Sequence, residues 1–155
     1  MKIVLYGIVI SLISIGSVYS NEADIKKIKD KHNKYYEYLF ENDMNSLAKL
    51  FSFPALFKGF VNDVQIAKNE KDIANIYQNL IKAAPQSKFV EMGRDYTEIK
   101  TSLEGKSIFK MREDTYLLVA KYTQRDKNDN SLIFSGRASY LFINNNGEWL
   151  ISGVF

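Results

Sequence analysis

The sequence predicts an α+β domain in which three N-terminal helices pack on a strongly curved, mostly antiparallel sheet. Two observations predict this class. Apolar residues recur with a helical period over most of the chain before Pro85, and β-branched and aromatic residues form strand-like runs after it. When helices precede a series of long antiparallel strands, they collect on one face of the sheet. We therefore expect a half-open cone.

The first twenty residues have the character of a signal peptide. Lys2 supplies a positive charge, an apolar stretch follows, and the small Ser20 fits the cleavage rule. The alternative is an uncleaved anchor, but the stretch falls short of the roughly 20 apolar residues that span a bilayer. The sequence predicts a signal peptide at 1–20, one domain at 21–155, and a periplasmic or secreted location.

The composition excludes several functions. The chain has no cysteine and one histidine, which leaves no disulfide framework, no thiol nucleophile and no ligand set for a metal. Loss of Lys2 lowers the net charge from +3 to about +2, with both signs interspersed, so neither nucleic acid nor a membrane is expected as a partner of the mature domain. No phosphate-binding or dinucleotide-binding motif is present, and we expect no cofactor.

The first two helices are predicted from their caps. Asn21 with Asp24 begins the first helix, and its apolar residues then form one stripe that includes His32. A second, short helix follows Asp43. It stops before Pro54, because a proline disfavours helical geometry in the residue that precedes it.

A strand at Phe53–Phe60 and a short run at Val64–Ala67 precede the third helix. Asn69 with Asp72 caps that helix, and Pro85 ends it. Turn residues then separate the remaining strands, which are predicted at Lys88–Thr101, Ser107–Met111, Tyr116–Gln124, Leu132–Ile143 and Glu148–Phe155. Within the first of these, a glycine, Gly93, indicates a bulge that helps the sheet to curl.

Four segments in this order resemble the nuclear transport factor 2-like (NTF2-like) superfamily. They are "KYYEYLFENDMNSLAKLF", "PALFKGF", the capped third helix and the closing "GRASYLFINNNGEWLISGVF". The superfamily includes SnoaL-like proteins, ketosteroid isomerases, dehydratases, polyketide cyclases and binding modules without catalysis. The resemblance therefore implies the fold and leaves the function open.

The resemblance also allows a test for ketosteroid isomerase chemistry, in which a carboxylate base moves a proton while a tyrosine and a protonated aspartic acid hold the oxyanion. It implies that Tyr35 is that tyrosine. Gly59 stands where the base is expected, and Ser139 where the protonated acid is expected. A dehydratase would need a catalytic pair of Asp and His. His32 is the only histidine, and no partner for it is identifiable.

The resemblance implies that Ser139 faces the cavity, and strand period then puts Arg137 on the same side. There Arg137 is a candidate hook for an anionic ligand, because a guanidinium binds a carboxylate with two hydrogen bonds. Alternatively, Arg137 faces solvent, or it pairs with one of three internal acids, Glu91, Asp95 and Glu98. Both faces of this strand are largely apolar, so the outer face of the sheet is a candidate homodimer interface.

The full set of pocket candidates is His32, Tyr35, Tyr77, Arg137, Ser139 and Trp149. His32 either titrates against a ligand or is a core-edge imidazole bonded to a backbone carbonyl. Tyrosine rings are expected to line the core with their hydroxyls at its rim, and Trp149 to lie in the core.

We expect an exported, non-catalytic module that binds a small apolar or anionic ligand in the cone or associates with a protein partner. The alternative is a SnoaL-like lyase or isomerase in which Tyr35 and His32 act on a small carbonyl or carboxylate compound while Arg137 polarises it. The enzyme hypothesis requires His32 and Arg137 to point into one cavity. A purely structural domain with a filled cone is a third alternative.

Overall fold

A computed structural model describes residues 22–58, 64–83 and 99–155, with the backbone alone at 80–83 and 99. The described ranges contain helices α1 (Glu22–Phe40), α2 (Met44–Ala48) and α3 (Glu70–Ala83), and strands β1 (Phe51–Phe57), β2 (Gln65–Ala67), β3 (Ile99–Arg112), β4 (Thr115–Asp126), β5 (Leu132–Asn145) and β6 (Glu148–Val154). The predicted signal peptide and the predicted bulge at Gly93 lie outside the described residues.

The predicted caps of the second and third helices are confirmed. The Ser46 amide donates to Asp43 Oδ1 at 3.0 Å at the start of α2. The Asp72 amide donates to Asn69 Oδ1 at 3.1 Å, and the Asp72 carboxylate accepts from the Lys68 amide at 2.8 Å. The bonds to Asp43 and Asn69 each satisfy a donor that a helix start leaves without an intrahelical partner, and the bond from Lys68 fixes the segment before α3.

The six strands form one curved sheet in the order β2-β1-β6-β5-β4-β3. Neighbouring strands are antiparallel except β1 and β6, which run parallel. The α+β class with helices on a curved, mostly antiparallel sheet is therefore confirmed. No helix in the described ranges is long and apolar enough to cross a membrane.

Two strand boundaries differ from the predictions. β1 begins at Phe51, two residues before the predicted strand at Phe53–Phe60. Pro54 lies where the β1–β6 register shifts, a position that tolerates the missing amide. The predicted break before Ser107 is wrong. β3 continues through it, because a register shift between Leu103 and Gly105 absorbs one residue, as a β-bulge does.

The core lies between the three helices and one face of the sheet, here called the inner face. Alternate residues of β4 and β5 contribute to it, so the side chains of Leu118, Tyr140 and Phe142 are buried. Other buried core residues are Ile28, Tyr35, Leu47, Phe57, Ile73, Tyr77, Tyr116, Trp149 and Ile151. Aromatic rings thus fill much of the core formed by the described residues.

Candidate functional site

A cleft of about 170 Å³ opens between the second half of α1 and the inner face of the sheet. Helix α1 contributes four lining residues, Tyr35, Tyr36, Leu39 and Phe40. The sheet contributes Thr101 from β3, Tyr122 and Gln124 from β4, and Ala138 and Tyr140 from β5. The cleft therefore lies where the second half of α1 faces β3, β4 and β5.

Two pairs of tyrosine hydroxyls lie at the base of the cleft. The Tyr36 and Tyr140 oxygens are 2.8 Å apart, as are those of Tyr35 and Tyr77. The rings of Tyr35 and Tyr140 pack edge to face, with their centroids 5.1 Å apart, so the two pairs lie side by side. Burial raises the pKa of all four phenols, so each keeps its proton at neutral pH and can donate a hydrogen bond but not act as a base.

His32 lies behind this cluster and does not line the cleft. Its side chain is 0% exposed, and neither ring nitrogen has a hydrogen-bond partner among the described residues. The predicted bond to a backbone carbonyl is therefore wrong. Burial, assisted by the positive charge of Lys106, lowers the pKa of His32 to about 3, which keeps the imidazole neutral at physiological pH.

Arg137 and Ser139 lie on the outer face of the sheet, opposite the helices. Arg137 is exposed and stands next to Lys121 of β4, whereas Ala138 and Tyr140 face the cleft. The prediction of which β5 residues face the cleft is wrong. It is offset by one residue, so each side chain lies on the opposite face of the sheet from the one predicted. Both faces of the strand are apolar enough that the sequence pattern alone did not decide between them. Arg137 thus faces solvent, which was the alternative prediction, and it does not bind an anionic ligand in the cleft.

The remaining candidates, Trp149 and Tyr77, are buried residues of the core. Trp149 is buried at the other end of the helix layer, where its indole Nε1 donates to Asp24 Oδ1 at 3.0 Å. Tyr77 reaches the cleft only through the Tyr35 hydroxyl. Of the six predicted residues, Tyr35 alone lines the cleft. Gly59, proposed as the position of a missing base, lies outside the described residues.

The described residues hold no cluster of three or more His, Asp and Glu side chains that could bind a metal ion. None of the described residues that line the cleft carries a carboxylate, an ammonium or a guanidinium group. The polar groups of this lining are hydroxyls and one amide, with Gln124 Nε2 donating to Thr101 Oγ1 at 3.5 Å. The lining can therefore bind and orient a neutral molecule, but it offers no general base.

Sequence reasoning missed Tyr36, Tyr122 and Gln124. Tyr36 follows Tyr35 in a run of tyrosines, and nothing local indicates which ring turns toward the sheet. A usable signal existed for Tyr122, because strand period places it on the same face as Leu118. The space for its ring opposite Gly136 becomes visible only with the strand pairing.

No family model and no curated protein matches the chain. Solved structures do. An NTF2-like protein with a cystatin-like fold from Novosphingobium aromaticivorans is 13% identical, with a TM-score of 0.60 over 86% of this chain and 80% of its own. A ketosteroid isomerase-like protein from Erwinia carotovora is 10% identical, with a TM-score of 0.60 over 86% and 95%.

A scytalone dehydratase-like protein, also from Novosphingobium aromaticivorans, is 14% identical, with a TM-score of 0.58 over 86% of this chain and 83% of its own. With its helices on one face of a curved six-stranded sheet, the chain matches the fold of these proteins. It has the NTF2-like, cystatin-like fold, as the sequence resemblance implied. At these identities the likeness defines the fold and not the activity.

Proposed function

We propose that the chain is a non-catalytic module that binds a small molecule in the cleft between α1 and the inner face of the sheet. The observation that carries this proposal is the composition of the cleft: aromatic walls and hydrogen-bonding hydroxyls without an ionised group in its described lining. A largely apolar concavity with a few convergent polar groups is typical of ligand sites.

The lyase or isomerase alternative lacks support from this lining. Proton abstraction at neutral pH needs a base with a pKa near 7 within hydrogen-bond reach of the substrate. Burial holds the tyrosine pKa values too high for that role and the His32 pKa too low. Arg137, the predicted electrophile, faces away from the cleft, so the condition that we set for the enzyme hypothesis is not met.

Filling the cleft tests the binding proposal. Ala138→Leu adds bulk at the cleft wall, and Ala74→Leu adds the same bulk on α3, where Ala74 is partly buried and does not line the cleft. Native mass spectrometry of protein purified without denaturation should detect a co-purifying small molecule in the wild type and in Ala74→Leu, but not in Ala138→Leu. A species retained in all three proteins contradicts binding in the cleft.

We also propose export and self-association. The signal-peptide character of 1–20 supports export, and N-terminal sequencing of the protein from the periplasm or medium should begin at Asn21. An apolar row on the outer face, formed by Phe109, Leu117 and Leu141 on adjacent strands, supports a homodimer that covers it. Phe109 is 52% exposed in the single chain.

A further inference from the structure

We infer that the cleft takes an uncharged, flat molecule with a single aromatic ring and one hydrogen-bonding substituent, an inference that rests on the binding function proposed above. Four features of the described residues lead to this chemistry. They are the volume of the cleft, an aromatic shelf on β4, the hydroxyl pairs at the base, and the absence of charge from the described lining.

The volume sets the size of the ligand. The cleft measures about 170 Å³, and an apolar cavity of about 150 Å³ holds one benzene molecule. One ring with a small substituent therefore fits within the cleft, whereas most of a four-ring steroid would lie outside it. The aromatic core behind the cleft is packed, so a larger ligand could not extend into the cone without displacing Tyr35 or Tyr140.

The shelf is the ring of Tyr122, which lies close over Gly136 of the neighbouring strand. A Cβ atom at Gly136 would stand 2.9 Å from Cζ and Oη of Tyr122 and 2.6 Å from Cε1 of Phe134. Such distances are too short for any side chain, so only glycine lets the Tyr122 ring lie this near to the sheet. Phe134 flanks it, with ring centroids 5.9 Å apart. Tyr122 thereby presents an aromatic surface to the cleft, on which a flat ring can stack.

The hydroxyls at the base set the polarity of the substituent. Each phenol has one proton to donate and two lone pairs that accept. In the pair of Tyr36 and Tyr140, either hydroxyl can be the donor, so the bond between them can run in either direction. Tyr36 at the cleft end can therefore offer a donor or an acceptor, and a ligand hydroxyl or carbonyl is satisfied equally well.

The described lining favours an uncharged ligand. A carboxylate in the cleft would lose hydration without gaining a cationic partner among the described lining residues, which is unfavourable. Arg137, the cation that the sequence offered for this purpose, lies on the outer face. A neutral phenol or aryl ketone loses less hydration and recovers its hydrogen bond at Tyr36.

Titration with phenol, benzoate and cyclohexanol at pH 7 tests the inference. The three probes are similar in size and differ in charge and flatness. We expect phenol to bind at least about tenfold more tightly than either of the others, since a difference of one good interaction corresponds to about that factor. Tyr36→Phe should weaken the binding of phenol. It should leave the affinity for toluene unchanged, because toluene forms no hydrogen bond.

Gly136→Ala tests the shelf. Gly105→Ala on β3, which pairs with the other side of β4, is its matched control, because a Cβ atom at Gly105 meets nothing within 4 Å. We expect Gly136→Ala to displace Tyr122 and to weaken phenol binding about tenfold or more. Gly105→Ala should bind phenol as tightly as the wild type. If Gly136→Ala does not fold, Tyr122→Leu takes its place. It should weaken the binding of phenol but not that of cyclohexanol.

The possible results separate this inference from the function on which it rests. Binding of benzoate or cyclohexanol as tightly as phenol overturns the ligand class and leaves the binding function standing. Unchanged phenol affinity in both Gly136→Ala and Tyr122→Leu overturns the shelf. If none of the probes binds to the wild type, the ligand class is overturned, whereas the binding function is decided by the native mass spectrometry of the wild type, Ala74→Leu and Ala138→Leu.

Discussion

The imidazole of His32 packs edge-on against the ring of Tyr140, with the ring centroids 4.5 Å apart and the planes at 85°. The rings of Tyr35 and Tyr36 also lie near it, at 6.1 and 5.1 Å. This aromatic surround excludes water from a group that carries a polar N–H, and no described residue accepts a hydrogen bond from it. His32 therefore behaves as a neutral aromatic side chain of the core.

Replacing His32 with Phe should increase stability at pH 7 by about 1 kcal/mol, because it removes a buried donor that has no acceptor. Phe conserves the aromatic packing but is slightly larger than His, so His32→Leu is the companion variant. Chemical denaturation at pH 7 gives the unfolding free energies. Destabilisation by both variants would contradict the absence of a partner for the imidazole.

The same residue should make the fold sensitive to acid. The unfolded chain binds a proton at His32 below pH 6.5, whereas the folded chain does so only near pH 3. The unfolded state is therefore favoured as the pH falls between these values, and the wild type loses about 1.4 kcal/mol of stability per pH unit through this group. Measured from pH 6 to pH 4.5, the difference in unfolding free energy between wild type and His32→Phe should follow that slope. A difference independent of pH contradicts it.

The Tyr35 and Tyr77 hydroxyls should be energetically coupled. Tyr35→Phe or Tyr77→Phe alone leaves a buried hydroxyl without one of its partners, at a cost of about 1–3 kcal/mol. The double variant removes both and should cost less than the sum of the two, by about 0.5–3 kcal/mol. Urea denaturation of the four proteins completes the cycle. Strict additivity would show that the 2.8 Å contact contributes nothing.

The bond from Trp149 to Asp24 joins β6 to the first turn of α1. Asp24→Ala leaves the buried indole N–H without its acceptor and should lower the unfolding free energy by about 1–3 kcal/mol. Asp24→Asn keeps an acceptor oxygen at the same position and should cost clearly less. Trp149 is the only tryptophan of the chain, so its fluorescence follows unfolding directly. Equal losses in the two variants would assign the effect to the charge rather than to the bond.

Phe109→Glu should convert the proposed homodimer to a monomer, because it places a charge in the apolar row of the outer face. Ile66→Glu is the matched control, since Ile66 is similarly exposed, at 56%, but lies on β2 at the opposite edge of the sheet. Analytical ultracentrifugation gives the mass of each protein. A monomeric wild type, or a dimer that survives Phe109→Glu, opposes an interface on this face.

The fold could be predicted because its signals are local. Asp43 and Asn69 cap their helices through residues three positions away, and the change of period at Pro85 separates helices from strands. The continuity of β3 could not be predicted in this way. Its bulge near Glu104 depends on pairing with β4, where Lys121 forms an ion pair with Glu104 at 2.7 Å.

The cleft was less predictable because it is assembled from distant parts of the chain. Tyr35 was implied by resemblance alone, and the facing of Arg137 depended on a register that the apolar pattern of β5 did not fix. Tyr36 and Tyr122 meet only because β4 passes beneath the end of α1, which is a tertiary relationship without a local signature.

The most direct test of binding in the cleft is an NMR titration of protein carrying ¹³C-labelled tyrosine rings with phenol. We expect the ring signals of Tyr36, Tyr122 and Tyr140, assigned with single Tyr→Phe variants, to shift together and saturate. Tyr116 is the internal control, because it is buried against Trp149, away from the cleft, and its signal should not move. Unchanged signals from the three cleft tyrosines, with or without shifts elsewhere, would contradict the assignment of this cleft as the binding site.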